Sequence, residues 1–286
     1  MIAFDYRRPK GLKDALGMLR RPGTFPIAGG TNLLVDVRAG EARPHAVVDI
    51  GFLDELGTLN HQDGLIEIGA CVTMARIGES AVIQSHAPVL AQAALSLGGP
   101  QIRNRATVGG NIVSASPAAD SVVALVALGA EVTLQNALGI RTMLLEDFMK
   151  GPGQTRLKRN ELLTRVSFKT PGSREKGLFF KFGRRNALAI SVVNLAIMVR
   201  TEQMSEKWES VRIALGAVAP TVIRARKAET LLSGQGADEK LAAEAAQLAA
   251  SACSPISDIR ASAEYRRAMV EEWVARGLVE LLKRSS

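Results

Sequence analysis

Leu97-Gly-Gly-Pro-Gln-Ile-Arg-Asn-Arg-Ala-Thr-Val-Gly-Gly-Asn-Ile-Val-Ser-Ala-Ser-Pro-Ala-Ala-Asp120 is the stretch around which the rest of this 286-residue chain is organised. Two glycine pairs, Gly98/Gly99 and Gly109/Gly110, let a backbone turn at positive φ and approach a ligand closely. Thr107, Asn111, Ser114, Ser116 and Asp120 surround the second pair with small hydrogen-bonding side chains. The stretch holds no His or Cys, so it is built to hold a ligand and not to attack one. Successive N–H groups in such a turn form a concavity suited to phosphate oxygens. Two readings stand: a tight turn feeding a buried helix, and a binding loop. The density of small polar residues from Thr107 to Asp120 favours the binding loop.

Composition narrows the classes. The length allows two domains and a sizeable core. Apolar residues make up 47% and charged residues 22%, which describes a globular chain. Aromatics are 4%, too few for a base-stacking nucleic-acid surface. The net charge of +8 is spread over short pairs such as Arg7/Arg8, Arg184/Arg185 and Arg266/Arg267 and forms no basic block. Cys71 and Cys253 cannot supply the four thiolates of an iron–sulfur cluster, and His45, His61 and His86 are scattered. Cys71 lies in an alternating apolar segment and reads as core, and a reducing compartment fits. The N-terminus lacks a signal-peptide core. The longest apolar stretches are short or, like 187–199, interrupted by Ser191 and Asn194, so no membrane span is expected. The expectation is a cytoplasmic protein.

In chain order, Phe4–Tyr6 reads as a strand and Leu12–Leu19 as a helix. Phe25-Pro-Ile-Ala-Gly-Gly-Thr-Asn-Leu-Leu-Val follows. There Ile27–Ala28 ends a strand, Gly29–Thr31 turns, and Asn32–Arg38 is a helix. Such a junction gathers N–H groups and the positive end of a helix dipole, which suits a pyrophosphate; an ordinary strand–helix turn reads the same way. Ala46–Ile50 and Leu65–Ala70 are strands. Thr73 caps a helix over Met74–Glu79. Val89–Leu97 and Ser121–Gly129 are apolar helices, while Glu131–Leu134 and Glu161–Phe168 are strands. After a polar segment, Pro171–Lys176, the rhythm changes. Three strands (Phe179–Phe182, Ser191–Val199, Val211–Val218) precede helices over Arg224–Leu232, Asp238–Ala252 and Ser262–Leu282. In the last of these, Tyr265, Met269 and Trp273 form a stripe read as core or interface.

Ile27-Ala-Gly-Gly-Thr-Asn-Leu-Leu and Ala106-Thr-Val-Gly-Gly-Asn-Ile-Val-Ser-Ala-Ser-Pro-Ala-Ala-Asp resemble the two FAD-contacting motifs of the medium subunits of molybdenum hydroxylases. That is the family of xanthine dehydrogenase and aerobic carbon monoxide dehydrogenase. Lys181-Phe-Gly-Arg-Arg-Asn-Ala-Leu-Ala-Ile-Ser resembles a third family segment, and Pro255-Ile-Ser-Asp-Ile-Arg-Ala-Ser-Ala-Glu-Tyr-Arg-Arg its C-terminal signature. The matches keep their order over nearly the whole chain.

The resemblance implies an α+β fold. An FAD-binding domain of PCMH type would span 1–176 as two α/β subdomains (about 1–55 and 56–176). A small α+β domain with a three-stranded sheet and helices would span 177–286. It also implies the site. Ala28, Gly29, Gly30, Thr31, Asn32 and Leu33 would wrap the pyrophosphate. Gly109, Gly110, Asn111, Ser114, Ser116 and Asp120 would hold the diphosphate and ribityl region, with Thr107 supporting the loop. Ile102 and Arg103 would add contacts, and Leu162 and Lys181 would lie by the flavin ring. Asn32 stands where relatives often carry Asp or Ser. The extra cysteines of the aromatic-thioester reductases are absent, which excludes that branch.

By the same resemblance, the chain would relay electrons through FAD, without metal of its own, to NAD⁺, a quinone or oxygen. The electrons would come from a small subunit with two [2Fe–2S] clusters, beside a large molybdenum-cofactor subunit, in a dimer of heterotrimers. Two rivals are a self-contained FAD oxidoreductase and a nonenzymatic binding protein that keeps the glycine loops. The first would need a substrate base, and no His/Tyr/Asp constellation supplies one.

Overall fold

The structure, a computed structural model, describes residues 3–185, 188–203, 207–236 and 238–285. It is built on three main sheets. The first is parallel, in the order β1 (Asp5–Arg7), β3 (Ala46–Asp49), β2 (Thr24–Ile27), with α1 (Leu12–Met18) and α2 (Leu33–Ala39) in the crossovers. Ala46, Val47 and Val48 are buried, which suits the central strand. Pro26, which has no N–H to donate, sits on the edge strand β2.

The second sheet is antiparallel. β4 (Leu59–Gln62) and β5 (Leu65–Gly69) form a hairpin over the Asp63–Gly64 turn, where both residues have positive φ. Helices follow: α3 (Met74–Glu79), α4 (Ala81–His86), α5 (Pro88–Ser96), α6 (Pro100–Arg103), α7 (Val108–Val113) and α8 (Asp120–Ala127). Then come β6 (Glu131–Asn136), β7 (Gly139–Leu144), α9 (Leu145–Phe148), a small hairpin of β8 (Met149–Gly151) and β9 (Gln154–Thr155), and β10 (Leu162–Lys169). The order β4-β5-β10-β6-β7 puts the apolar strands β5, β10 and β6 in the middle and the polar strands β4 and β7 at the edges. β4 and β7, which the sequence pattern does not predict, are edge strands with one partner each, where alternation of apolar and polar residues is weak.

The third sheet has three long antiparallel strands, β11 (Glu175–Phe182), β12 (Val193–Thr201) and β13 (Lys207–Gly216). Two-residue pairings extend it, β14 (Ile223–Arg224) before α10 (Arg226–Leu232) and β15 (Gln235–Gly236) after it. α11 (Glu239–Ser251) and α12 (Ala263–Ser285) complete the chain. The α12 stripe lies on the sheet: the Trp273 ring centroid is 5.0 Å from that of Phe180, and Val270 and Val274 are fully buried.

Every residue of α8 is buried. The helix lies between α5 on one side and β12 and β13 on the other, and one apolar core runs through it from the second sheet to Ala196 and Ala214 of the third. The N-terminus of α8, Asp120, therefore meets the third sheet directly. No described helix is long and apolar enough to cross a membrane.

Candidate functional site

The first glycine loop leaves β2 at Ile27. A Cβ on Gly29 would lie 1.8 Å from the backbone oxygen of Arg105, so only glycine fits where the two loops meet back to back. Gly30 turns with φ +74° between the side chains of Ile27 and Leu34. Asn32 precedes α2 and makes no side-chain cap. Among the described residues, the N–H groups of Gly29, Gly30, Thr31 and Asn32 meet no acceptor within the chain. Four successive free donors on a turning backbone form an anion cradle.

The second loop is held from both sides. Val108 N–H donates to Val72 O at 3.0 Å, and Met74 N–H to Ala106 O at 2.9 Å. Thr107 caps α7, its Oγ1 accepting from Gly110 N–H at 3.2 Å. The sequence reading expected this glycine pair to turn at positive φ; both glycines instead lie inside α7 without it. Gly109 is there for close approach, since a Cβ would sit 2.6 Å from Ala70 Cβ and 2.8 Å from Ala70 O. The positive φ falls at Ala115, +44°.

Ser114 Oγ donates to Gly110 O at 2.8 Å, Ser116 Oγ accepts from Ala118 N–H at 3.3 Å, and Asn111 Oδ1 accepts from Ser121 Oγ at 2.7 Å. Arg103 donates to the carbonyls of Leu97 and Gly98, pinning the first glycine pair, while Ile102 stays exposed. Leu162 is buried in the cluster joining the first two sheets, with Ala28 at its edge.

Asp120 closes the candidate site and is buried, with 5% of the residue exposed. Oδ2 accepts from Lys181 Nζ at 2.6 Å, and Oδ1 from Ser191 Oγ at 2.7 Å and Asn194 Nδ2 at 2.6 Å. Lys181 Nζ also donates to Ser96 O at 2.9 Å. The resemblance puts Asp120 and Lys181 at the ligand; it gives no role to Ser191, the last residue of the third family segment, or to Asn194, and both also break an apolar run. Asn186 and Ala187 of the Lys181–Ser191 stretch lie outside the described residues. Asn194 is fully buried, and its Oδ1 finds no partner. Such an orphaned acceptor costs about 1–3 kcal/mol.

This arrangement fits a dinucleotide. A cradle of free N–H groups suits phosphate oxygens, small side chains leave room beside it, and a paired carboxylate and ammonium offer an acceptor and a donor.

Residues 2–170 match the family model described as the FAD binding domain in molybdopterin dehydrogenase, and residues 178–281 that of the CO dehydrogenase flavoprotein C-terminal domain. The chain is 33% identical to the nicotine 6-hydroxylase medium subunit of Paenarthrobacter nicotinovorans, over 97% of each chain. It is 30% identical to the carbon monoxide dehydrogenase medium chain of Hydrogenophaga pseudoflava, over 96% of each. Among solved structures, quinoline 2-oxidoreductase from Pseudomonas putida 86 superposes with a TM-score of 0.92 at 30% identity, covering 99% of this chain and 98% of that one. With both family models matched in order and the fold shared along its length, the chain belongs to the FAD-binding medium subunits of the molybdenum hydroxylases, as an oxidoreductase subunit.

Proposed function

We propose that this chain relays electrons from [2Fe–2S] clusters on a small partner subunit to an external acceptor, such as NAD⁺, a quinone or oxygen. A large molybdenum subunit oxidises the organic substrate, and the whole assembles as a dimer of heterotrimers. Bound FAD supplies the redox chemistry, and the chain supplies position and electrostatics.

Ala28–Leu33 hold the pyrophosphate through their N–H groups. Gly109, Gly110, Asn111, Ser114, Ser116 and Asp120, with Thr107 behind them, line the diphosphate and ribityl region. Ile102 and Arg103 flank it, while Leu162 and Lys181 face the ring. The observation that carries the reading is the run of free N–H groups from Gly29 to Asn32, back to back with the second loop. The loops offer no His or Cys to tether a flavin, so FAD binds noncovalently, one per chain.

The test mixes the FAD-loaded chain with candidate hydroxylase substrates, alone and with both partner subunits added. Flavin bleaching is expected only with the partners. Rapid bleaching of the isolated chain would replace the relay with a self-contained oxidoreductase.

A further inference from the structure

We propose that Ser191 and Asn194 are positioning residues for the Asp120 carboxylate, so that the third sheet sets the geometry of the FAD site. The proposal rests on the reading above that Asp120 and Lys181 meet FAD.

A carboxylate has about four acceptor positions and an ammonium three donors. Ser191 and Asn194 take two positions on Oδ1, and Lys181 takes one on Oδ2, which leaves Oδ2 one position. Lys181 spends two donors, on Oδ2 and on Ser96 O, which leaves one. A free acceptor and a free donor thus stand on atoms 2.6 Å apart. A ligand hydroxyl, which both donates and accepts, satisfies the pair, and a ribityl chain is a row of hydroxyls. Without a donor on Oδ1, the carboxylate is free to rotate and take the ammonium with both oxygens, which uses the last donor of Lys181 and leaves the ligand hydroxyl no ammonium N–H to accept from.

The Asn194 amide shows what this orientation costs. Its Nδ2 donates to Asp120 Oδ1 at 2.6 Å and more weakly to Ala118 O at 3.4 Å, so its Oδ1 is left buried without a partner. Gly216 leaves no space beside it, for a Cβ there would fall 2.1 Å from Oδ1. A flipped amide would aim its oxygen at the carboxylate. The fold gives up one hydrogen bond to keep a donor on Asp120, a sacrifice expected at a functional site.

The experiment uses the full chain carrying Ser191→Ala or Asn194→Leu. It measures the FAD dissociation constant of the folded protein, the flavin midpoint potential, and the melting temperature without FAD. Each variant is expected to weaken FAD by about tenfold, the scale of one hydrogen bond to a charged group. The potential should become more negative as the ammonium is drawn onto Asp120. Ser191→Ala, which removes one atom, answers the question if Asn194→Leu fails to fold. Unchanged affinity and potential in variants that melt lower would make the cluster an interdomain pin and overturn the proposal. A wild-type chain that takes up no FAD would overturn the reading beneath it.

Discussion

Lys181 and Asp120 are 61 residues apart in sequence and 2.6 Å apart in space, with side chains only 15% and 6% exposed. The ion pair joins the C-terminal end of β11 to the first residue of α8, and so the third sheet to the glycine loops. Removing one partner of a buried pair typically costs 3–5 kcal/mol, roughly, because the other charge is stranded. Ser191 and Asn194 still donate to Asp120 when Lys181 is lost. Lys181→Met is therefore expected at the low end, about 3 kcal/mol, in urea unfolding of the chain without FAD. On the proposed placement of Lys181 by the flavin ring, the midpoint potential of the loaded variant should be more negative, since a cation near a flavin favours the anionic reduced form. Unchanged stability would mean that the pair contributes nothing to the docking of the sheet.

Gly29 and Gly110 separate two uses of glycine. A methyl group on Gly29 meets the backbone of Arg105, which has nowhere to go; one on Gly110 meets only Thr107 Oγ1, at 3.0 Å. Gly29→Ala is expected to destabilise by about 3 kcal/mol or more by forcing the loops apart. Gly110→Ala is expected within about 1 kcal/mol of wild type, because Ala is the better helix former. The bulkier Gly110→Val should still fold, yet bind FAD at least about tenfold more weakly because it crowds the open face of α7. Thermal melts and FAD titrations of the three variants check this, and full FAD occupancy in a folded Gly110→Val chain would remove α7 from the site.

What was legible in the sequence was local. Gly-Gly-Thr-Asn and Gly-Gly-Asn marked the loops, and the unbroken apolar run after Asp120 marked α8. Thr73 did cap the next helix, its side chain accepting from Arg76 N–H. The conformation of the second glycine pair was not legible, because a glycine needed for close approach to Ala70, as Gly109 is, reads the same as one needed for positive φ. Ser191, at the end of the third family segment, and Asn194 showed in the sequence as polar breaks in an apolar stretch, with nothing to mark their partner. Their partner lies 71 and 74 residues away, a separation no periodicity can span.

Cys71 and Cys253 are expected to be inert in the folded chain. Burial pushes the Cys71 thiol up to about 12, with the Asp49 carboxylate adding to the effect, and burial also pushes Cys253 up to about 12. Each donates to a backbone carbonyl at 3.3 Å, Cys71 to Ile50 and Cys253 to Ala249. The thiolate is the reactive form. A thiol reagent at mildly alkaline pH should label neither in the native protein and both in guanidinium chloride. Fast native labelling of Cys71 would place it outside the core.

The C-terminal signature has a structural use that gives an acid-stability prediction. Arg266, 3% exposed, donates to Val192 O at 2.7 Å, to Ala217 O at 2.9 Å and to Asp258 Oδ1 at 2.8 Å, tying α12 to the sheet. Burial alone would raise the Asp258 carboxyl. The N–H groups of Arg260 and Ala261 and the guanidinium groups of Arg260 and Arg266 outweigh burial and hold it at about 2. The unfolded value is about 3.9. A group depressed on folding contributes stability that is complete above its unfolded value and is lost as pH falls through its folded one. Wild type should therefore exceed Asp258→Asn in stability near neutrality, and the difference should shrink from about pH 4 down to about pH 2. Urea unfolding of both proteins across that range checks it. Taking the difference cancels the other carboxylates, including Glu161, whose pKa Arg141 lowers through its hydrogen bond. A difference that stays constant across that range would show that Asp258 is not held ionised by these arginines.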